Sequence, residues 1–167
     1  FLRDWVDGAP RKGWENKPVT WVSIEDARAY AQWAGKRLPH EWEWQYAAQG
    51  VDGRLYPWGN DWNNSNMPAQ SKAREMPAPA DVDAHPQGAS PFGVMDLVGN
   101  VWQWTNEFYD EHTRAAALRA GSSYQPQTSH WYFPQAYQLD QHGKYLLMAP
   151  SKDRAGMLGF RCVVDAD

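Results

Sequence analysis

Apolar residues recur at helical spacing in only two stretches of this chain. Ala27, Tyr30, Ala31 and Ala34 follow one another at three- and four-residue steps, which predicts a helix. Ser23 followed by Asp26 supplies a capping signal at its start, and Gly35 supplies its stop. A second helix is predicted from about His40 to Ala48, closed by Gly50, with Trp44, Ala47 and Ala48 on its buried face. His40 stands where Ser, Thr or Asp would be expected, so this helix is predicted to be weakly capped. Strand-like alternation is brief. It covers Pro18–Val22, Leu118–Tyr124 and Gly159–Val164, with the last expected to pair antiparallel to the second. Residues 1–20 read as an irregular lead-in, and residues 50–90 show no sustained period. Within them Asn60–Asn66 and Pro77–Pro86 read as ordered surface loops or as a ligand-bearing region.

Composition explains why periodicity is so sparse. Eleven tryptophans, twelve prolines and thirteen glycines in 167 residues point to a loop-rich domain built on large aromatics. With 43% hydrophobic and 22% charged residues, the chain can bury a core. The length fits one domain. The net charge of −4 comes without any basic cluster, which argues against nucleic acid as a partner. No apolar run approaches the roughly 18 residues that would span a bilayer. A single cysteine, Cys162, excludes an internal disulfide and leaves the compartment open.

Several punctuated blocks carry more than composition does. In order they are Pro18-Val-Thr-Trp-Val-Ser-Ile-Glu-Asp-Ala-Arg-Ala-Tyr, Gly35-Lys-Arg-Leu-Pro, Glu41-Trp-Glu-Trp-Gln-Tyr-Ala-Ala, Tyr56-Pro-Trp-Gly-Asn, Gly93 to Thr105, Arg119-Ala-Gly-Ser-Ser and Gly159-Phe-Arg-Cys. Together they resemble the formylglycine-generating enzyme (sulfatase-modifying factor) family over about residues 1 to 165. The resemblance implies an α+β fold, a variant of the C-type lectin architecture with short helices, small antiparallel sheets and much irregular loop. It reads residues 1–167 as one such domain lacking the family's N-terminal part, and it favours an extracytoplasmic setting.

The resemblance also says what to expect of the site. The family's copper(I) is held by two cysteines after the Gly-Gly-Ser motif, a soft-ligand pair suited to that ion. Those positions fall near Gln125 and His130, and neither is a thiolate, so copper-dependent oxidation of a substrate cysteine is expected to be lost. The family's calcium features map onto Gly99, Asn100, Val101 and Gln103, and onto Asn66 and Met67. Gln103 replaces a glutamate there, which lowers the ligand charge and the expected affinity.

Three functions are compatible with this pattern. The first is a binding module whose groove is lined by Tyr124, Gln125, His130, Trp131, Tyr132 and His142, taking a peptide, glycan or small molecule. The second is a non-haem iron or other metal-dependent oxidase using His130, Asp140 and His142. It would be akin to ergothioneine sulfoxide synthases or pyoverdine-maturation proteins, although these histidines match no recognised metal spacing. The third is a diversified lectin-like binding protein, disfavoured by the lack of asparagine in Gln125–Met157. Ser122 and Ser123 lack the Gly-x-Ser-x-Gly elbow of a nucleophile. Trp58, Trp102 and Trp104 are expected in the core, and Arg161 in an ion pair or on backbone carbonyls.

Overall fold

A computed structural model describes residues 1–72, 77–110, 112, 115–124, 137–146 and 153–166. The chain opens with a small hairpin, β1 (Trp5–Val6) and β2 (Ala9–Pro10), where an irregular lead-in was expected. The strand expected at Pro18–Val22 does not form. Trp21 adopts a left-handed φ of 59°, which breaks the extended path just before the first helix.

That helix, α1, runs Ile24–Trp33. The Ser23 hydroxyl accepts from the Asp26 N–H at 3.2 Å, and the Asp26 carboxylate accepts from the Ser23 N–H at 2.8 Å, closing the capping box read from the sequence. Arg154 donates to the same carboxylate at 2.7 Å, tying the helix start to a distant segment. Burial pulls the Asp26 carboxyl up, but the hydrogen bonds from Arg154 and Ser23 outweigh it and hold the group below its ordinary value. Gly35, at φ 67°, turns the chain away after the last turn. Ser23→Ala is expected to cost about 1 kcal/mol in a urea titration, because the Asp26 N–H then loses its partner.

The second helix, α2, runs Glu41–Gln49. Its weak-looking cap is made good by two carboxylates. Glu43 accepts from the His40 N–H at 2.7 Å, and Glu107 accepts from the Glu41 N–H at 2.7 Å. Two-pronged hydrogen bonds from Arg37 to Glu43, with the His40 N–H adding and partial burial opposing, hold the Glu43 carboxyl down to about 2. Its folded value therefore lies below the ordinary 4.5, so the stability it contributes is complete above 4.5 and drains away as the pH falls toward about 2. Glu43→Gln is expected to flatten the acid limb of a melting-temperature profile in that window; an unchanged limb would show that the contribution lies elsewhere.

The main sheet contains β3 (Trp102–Asp110), β4 (Ala115–Arg119), β5 (Gly143–Leu146) and β6 (Leu158–Phe160), in the order β5-β4-β3-β6. β3 pairs antiparallel with β4, with Trp104 opposite Leu118. The expected strand at Leu118–Tyr124 is thus shifted: β4 ends at Arg119, where Ala120 and Gly121 take φ of 89° and 62° and turn the chain out of the ladder. The expected antiparallel pairing of the C-terminal block is also corrected. β6 runs parallel to β3, with Trp102 opposite Leu158 and Trp104 opposite Phe160, so the sheet is mixed. The apolar block Leu158–Phe160 suits either partner, and pattern alone cannot choose between them.

Alternation along β3 puts the two helices on opposite faces. Trp102 and Trp104 enter a core with Ile24, Ala27 and Ala31 of α1. Gln103, between them, faces Trp44 of α2, whose indole N–H donates to its side-chain oxygen at 2.9 Å. Trp44 and Ala48 then pack with Leu97, Ala120 and Leu139. A third cluster joins Tyr56, Met67, Val98 and Tyr137. Trp102 and Trp104 are in the core as expected, whereas Trp58 is only half-buried.

Candidate functional site

The turn after β4 collects hydrogen bonds from three separate loops. The Ala120 carbonyl accepts from the Gly99 N–H at 2.8 Å, and the Ser123 N–H donates to the Asn100 carbonyl at 3.2 Å. The Ser123 carbonyl accepts from the Ser71 N–H at 2.8 Å, and a short parallel bridge follows between Ser71 and Tyr124. Ala120 is a buried non-glycine residue at positive φ, a conformation sustained only because these bonds over-determine it. Ser122 is turned inward: its hydroxyl donates to the Tyr124 carbonyl at 3.4 Å and contacts the Met157 sulfur at 3.8 Å. Such a hydroxyl is a packing group rather than an exposed nucleophile.

Beside this turn stand four aromatic rings. Tyr137 donates its hydroxyl to the Ser122 carbonyl at 2.7 Å. Its ring lies 5.7 Å from Trp62, which meets Tyr56 edge-on at 5.4 Å, and Tyr56 stacks on Trp58 at 5.3 Å. Trp62 remains 44% exposed, its indole N–H held by Asn64. Neither Trp62 nor Tyr137 was assigned a role from the sequence; the signal for Trp62 was its place among asparagines next to the Tyr56–Asn60 block, and for Tyr137 its place in the aromatic stretch 125–157. The Ser122–Ser123 turn thus meets Tyr137, which is itself buried, while Tyr124 packs partly buried against the α1 core; Trp62 is the ring of this group most open to a flat or ring-shaped ligand.

The other candidates are more scattered. His142 faces Glu41 of α2, with Nδ1 and Oε1 4.0 Å apart, and Asp140 lies in an exposed turn. Gln125, His130, Trp131 and Tyr132 lie outside the described residues. Among the described residues, no three His, Cys, Asp or Glu side chains gather in metal-binding geometry. Asp81 pairs with Lys17 at 2.8 Å, whereas Asp83 is held by its backbone N–H, which donates to the Asp96 carboxylate at 2.8 Å.

Two of the residues expected at the separate calcium features touch each other. Met67 packs on Gly99, where a Cβ would meet its sulfur at 2.8 Å, and the Asn66 carbonyl lies against Gly88. The amide side chains of Asn100 and Gln103, however, are already spent. Asn100 exchanges two hydrogen bonds with the backbone of Ala80, at 3.0 and 3.2 Å. The Gln103 oxygen accepts from Trp44 and from the Arg161 Nε at 2.7 Å, which uses both of its lone pairs, while its NH₂ donates to the Asp96 carbonyl at 2.7 Å. As they stand, these two amides do not fit as calcium ligands. Arg161 continues the network to the Met95 and Asp96 carbonyls at 3.0 and 3.1 Å, the carbonyl contacts expected of it. Burial lowers the Arg161 pKa, and the carboxylates of Asp96 and Asp83 partly restore it.

With this arrangement in view, comparison with known proteins decides the lineage. Residues 4–166 match the model of the sulfatase-modifying factor enzyme 1-like domain. The chain belongs to the sulfatase-modifying factor family. It is 41% identical over 116 residues to the inactive C-alpha-formylglycine-generating enzyme 2 of Bos taurus, covering 64% of this chain and 38% of that protein. It is 32% identical over 209 aligned positions to the formylglycine-generating enzyme of Mycobacterium tuberculosis, covering 98% and 67%. The chain therefore spans well under half of the bovine relative. Among solved structures, PvdO from Pseudomonas aeruginosa superposes with a TM-score of 0.64 at 19% identity, covering 87% of this chain and 60% of PvdO, which speaks for the fold alone.

Against the family's copper(I) chemistry, this domain offers one thiol. Cys162 follows β6 beside the Arg37–Val163 bridge, and burial raises its pKa away from the thiolate form, with Lys36 pulling the other way. One such thiol does not fit a two-thiolate copper(I) centre. No helix among the described residues is long and apolar enough to cross a membrane.

Proposed function

We propose that this sulfatase-modifying-factor domain has lost copper-dependent cysteine oxidation and works as a binding module through the surface around Tyr124. The observation that carries this reading is the thiol inventory: a single cysteine, placed after β6 and protonated by burial. The likeness to a relative named as inactive supports it from a second side. The ligand-facing half rests on Trp62 and the half-buried Trp58, backed by the buried Tyr137 that is held against the Ser122 turn. Aromatic faces give large contact area at low entropic cost, which suits a peptide, a glycan or a small ring-bearing molecule.

Two measurements on one preparation test both halves. The protein is incubated with copper(I), oxygen and a cysteine-containing peptide, and aldehyde formation is followed by mass spectrometry. No aldehyde is expected; turnover above a copper-only control would overturn the loss of oxidase chemistry. In parallel, glycan and peptide arrays are probed with the wild type and with Trp62→Ala. Array signals that depend on Trp62 are expected, and signals untouched by its removal would place binding elsewhere. A stoichiometric iron content in protein purified without chelator would instead favour the oxidase reading.

A further inference from the structure

The start of α2 carries a second constellation, which meets the expected groove only where His142 faces Glu41. A shallow pocket of about 270 Å³ is lined by Glu41, Trp42, Gln45, Glu107 and Arg119. Its residues come from three elements: α2 supplies Glu41, Trp42 and Gln45, β3 supplies Glu107, and β4 supplies Arg119. Each polar group is fixed. Glu107 clamps the His40 ring at 2.5 Å and the Glu41 N–H at 2.7 Å. The Arg119 guanidinium is buried against the Trp44 ring at 5.1 Å, donates to the Gln141 carbonyl at 2.8 Å and to the Gln45 side chain, and lies 3.7 Å from the Glu41 carboxylate. The pocket wall is therefore pre-arranged and would lose little entropy on binding.

Trp42 is the anomaly. It is 66% exposed on a helix whose other tryptophan, Trp44, is buried, and His40 lies parallel to its ring at 5.8 Å. The cap and ion-pair network does not need an indole there. One helical turn on, at a rise of about 6 Å, Tyr46 projects from the same face. It meets the exposed ring of Phe92 at 5.2 Å. Two aromatic platforms thus stand in line along α2, next to a polar pocket.

We propose that this face binds a neutral carbohydrate: one sugar ring sits on Trp42 with its hydroxyls on Glu41, Gln45 and Glu107, and the next residue of a chain reaches Tyr46 and Phe92. The charge pattern selects the ligand class. Carboxylates only accept, guanidinium only donates, and an amide does both, so a ligand whose groups each donate and accept is served by all of them. An anion would face two carboxylates, and a cation would find Glu41 already beside Arg119 and both Glu107 oxygens already on the His40 ring and the Glu41 N–H. A polyhydroxylated ring needs no free countercharge and offers an apolar C–H face to the indole. This site is independent of the Tyr124 surface, so either can fail without the other.

The test uses the whole chain labelled with ¹⁵N-tryptophan, whose indole N–H resonances report each ring separately. Glucose, galactose, mannose, N-acetylglucosamine, cellotriose and mannotriose serve as probes, with tetramethylammonium and inorganic phosphate as charged controls. At least one neutral sugar is expected to shift the Trp42 resonance saturably, and a trisaccharide is expected to bind more tightly than its monomer. Trp42→Ala should weaken that affinity by about tenfold or more without altering the fold, since the ring is exposed; Gln45→Ala provides a second, polar loss. Three results overturn the proposal: no neutral sugar moves Trp42, a charged control moves it instead, or sugars move only Trp62. The last would assign the binding to the aromatic edge beside Tyr124.

Discussion

Arg161→Ala is expected to destabilise the domain by about 2–3 kcal/mol, because the guanidinium serves three neutral acceptors and its loss strips the Met95 carbonyl of its donor and thins those of Gln103 and Asp96. Three acceptors are involved: the Gln103 amide oxygen, the Met95 carbonyl and the Asp96 carbonyl. Gln103 is itself buried and anchors Trp44, so the loss spreads to the face of the sheet that carries α2. Arg161→Lys should fall between wild type and alanine, since one ammonium cannot reproduce the guanidinium fork. The readout is the urea midpoint at constant slope. A loss under about 1 kcal/mol for the alanine variant would mean that water replaces the lost donors, and the network would then be ornamental to stability.

Trp104→Ala is expected to cost more, roughly 3–5 kcal/mol, through a different cause. The indole is fully buried at the centre of the α1 core and donates its N–H to the Val22 carbonyl at 3.0 Å. Alanine leaves a cavity and an unpaired carbonyl together. Trp104→Phe separates the two, keeping most of the apolar volume and removing the donor, and should cost about 1–3 kcal/mol. If phenylalanine proved as damaging as alanine, the hydrogen bond would outweigh the packing. Because β3 carries both Trp104 and Gln103 on adjacent residues, the Arg161 and Trp104 losses need not add.

The parts of the fold that could be read from sequence are those governed by local chemistry. Ser23 and Asp26 announce α1 because a capping box is a three-residue interaction, and Gly35 and Gly50 announce helix ends because few other residues accept their φ. What could not be read depends on distant partners. The cap of α2 looked poor at His40 because one of its acceptors, Glu107, arrives from β3. The direction of β6 was misjudged because a three-residue apolar strand carries no signature of its neighbour. At the site, Tyr124 and the strained Ala120 turn follow from the Arg119–Ser123 block. The aromatic edge of Trp62 and Tyr137 arises where separate loops meet, and His142 turns out to face α2. The family's blocks gave the lineage; the chemistry of this particular domain depends on side chains those blocks do not contain.

The parallel pairing of β6 with β3 has a consequence for biosynthesis. The centre of the sheet is made long before its flank, so a nascent chain that has emerged only as far as β5 presents Trp102–Trp104 with one edge of backbone unpaired and no guanidinium for Gln103. Such an intermediate has both an open strand edge and exposed indoles, the features that invite mispairing between chains. Closure waits for Leu158–Phe160 and Arg161 to leave the ribosome. This domain should therefore acquire its protease resistance late and in one step, rather than progressively from its amino end.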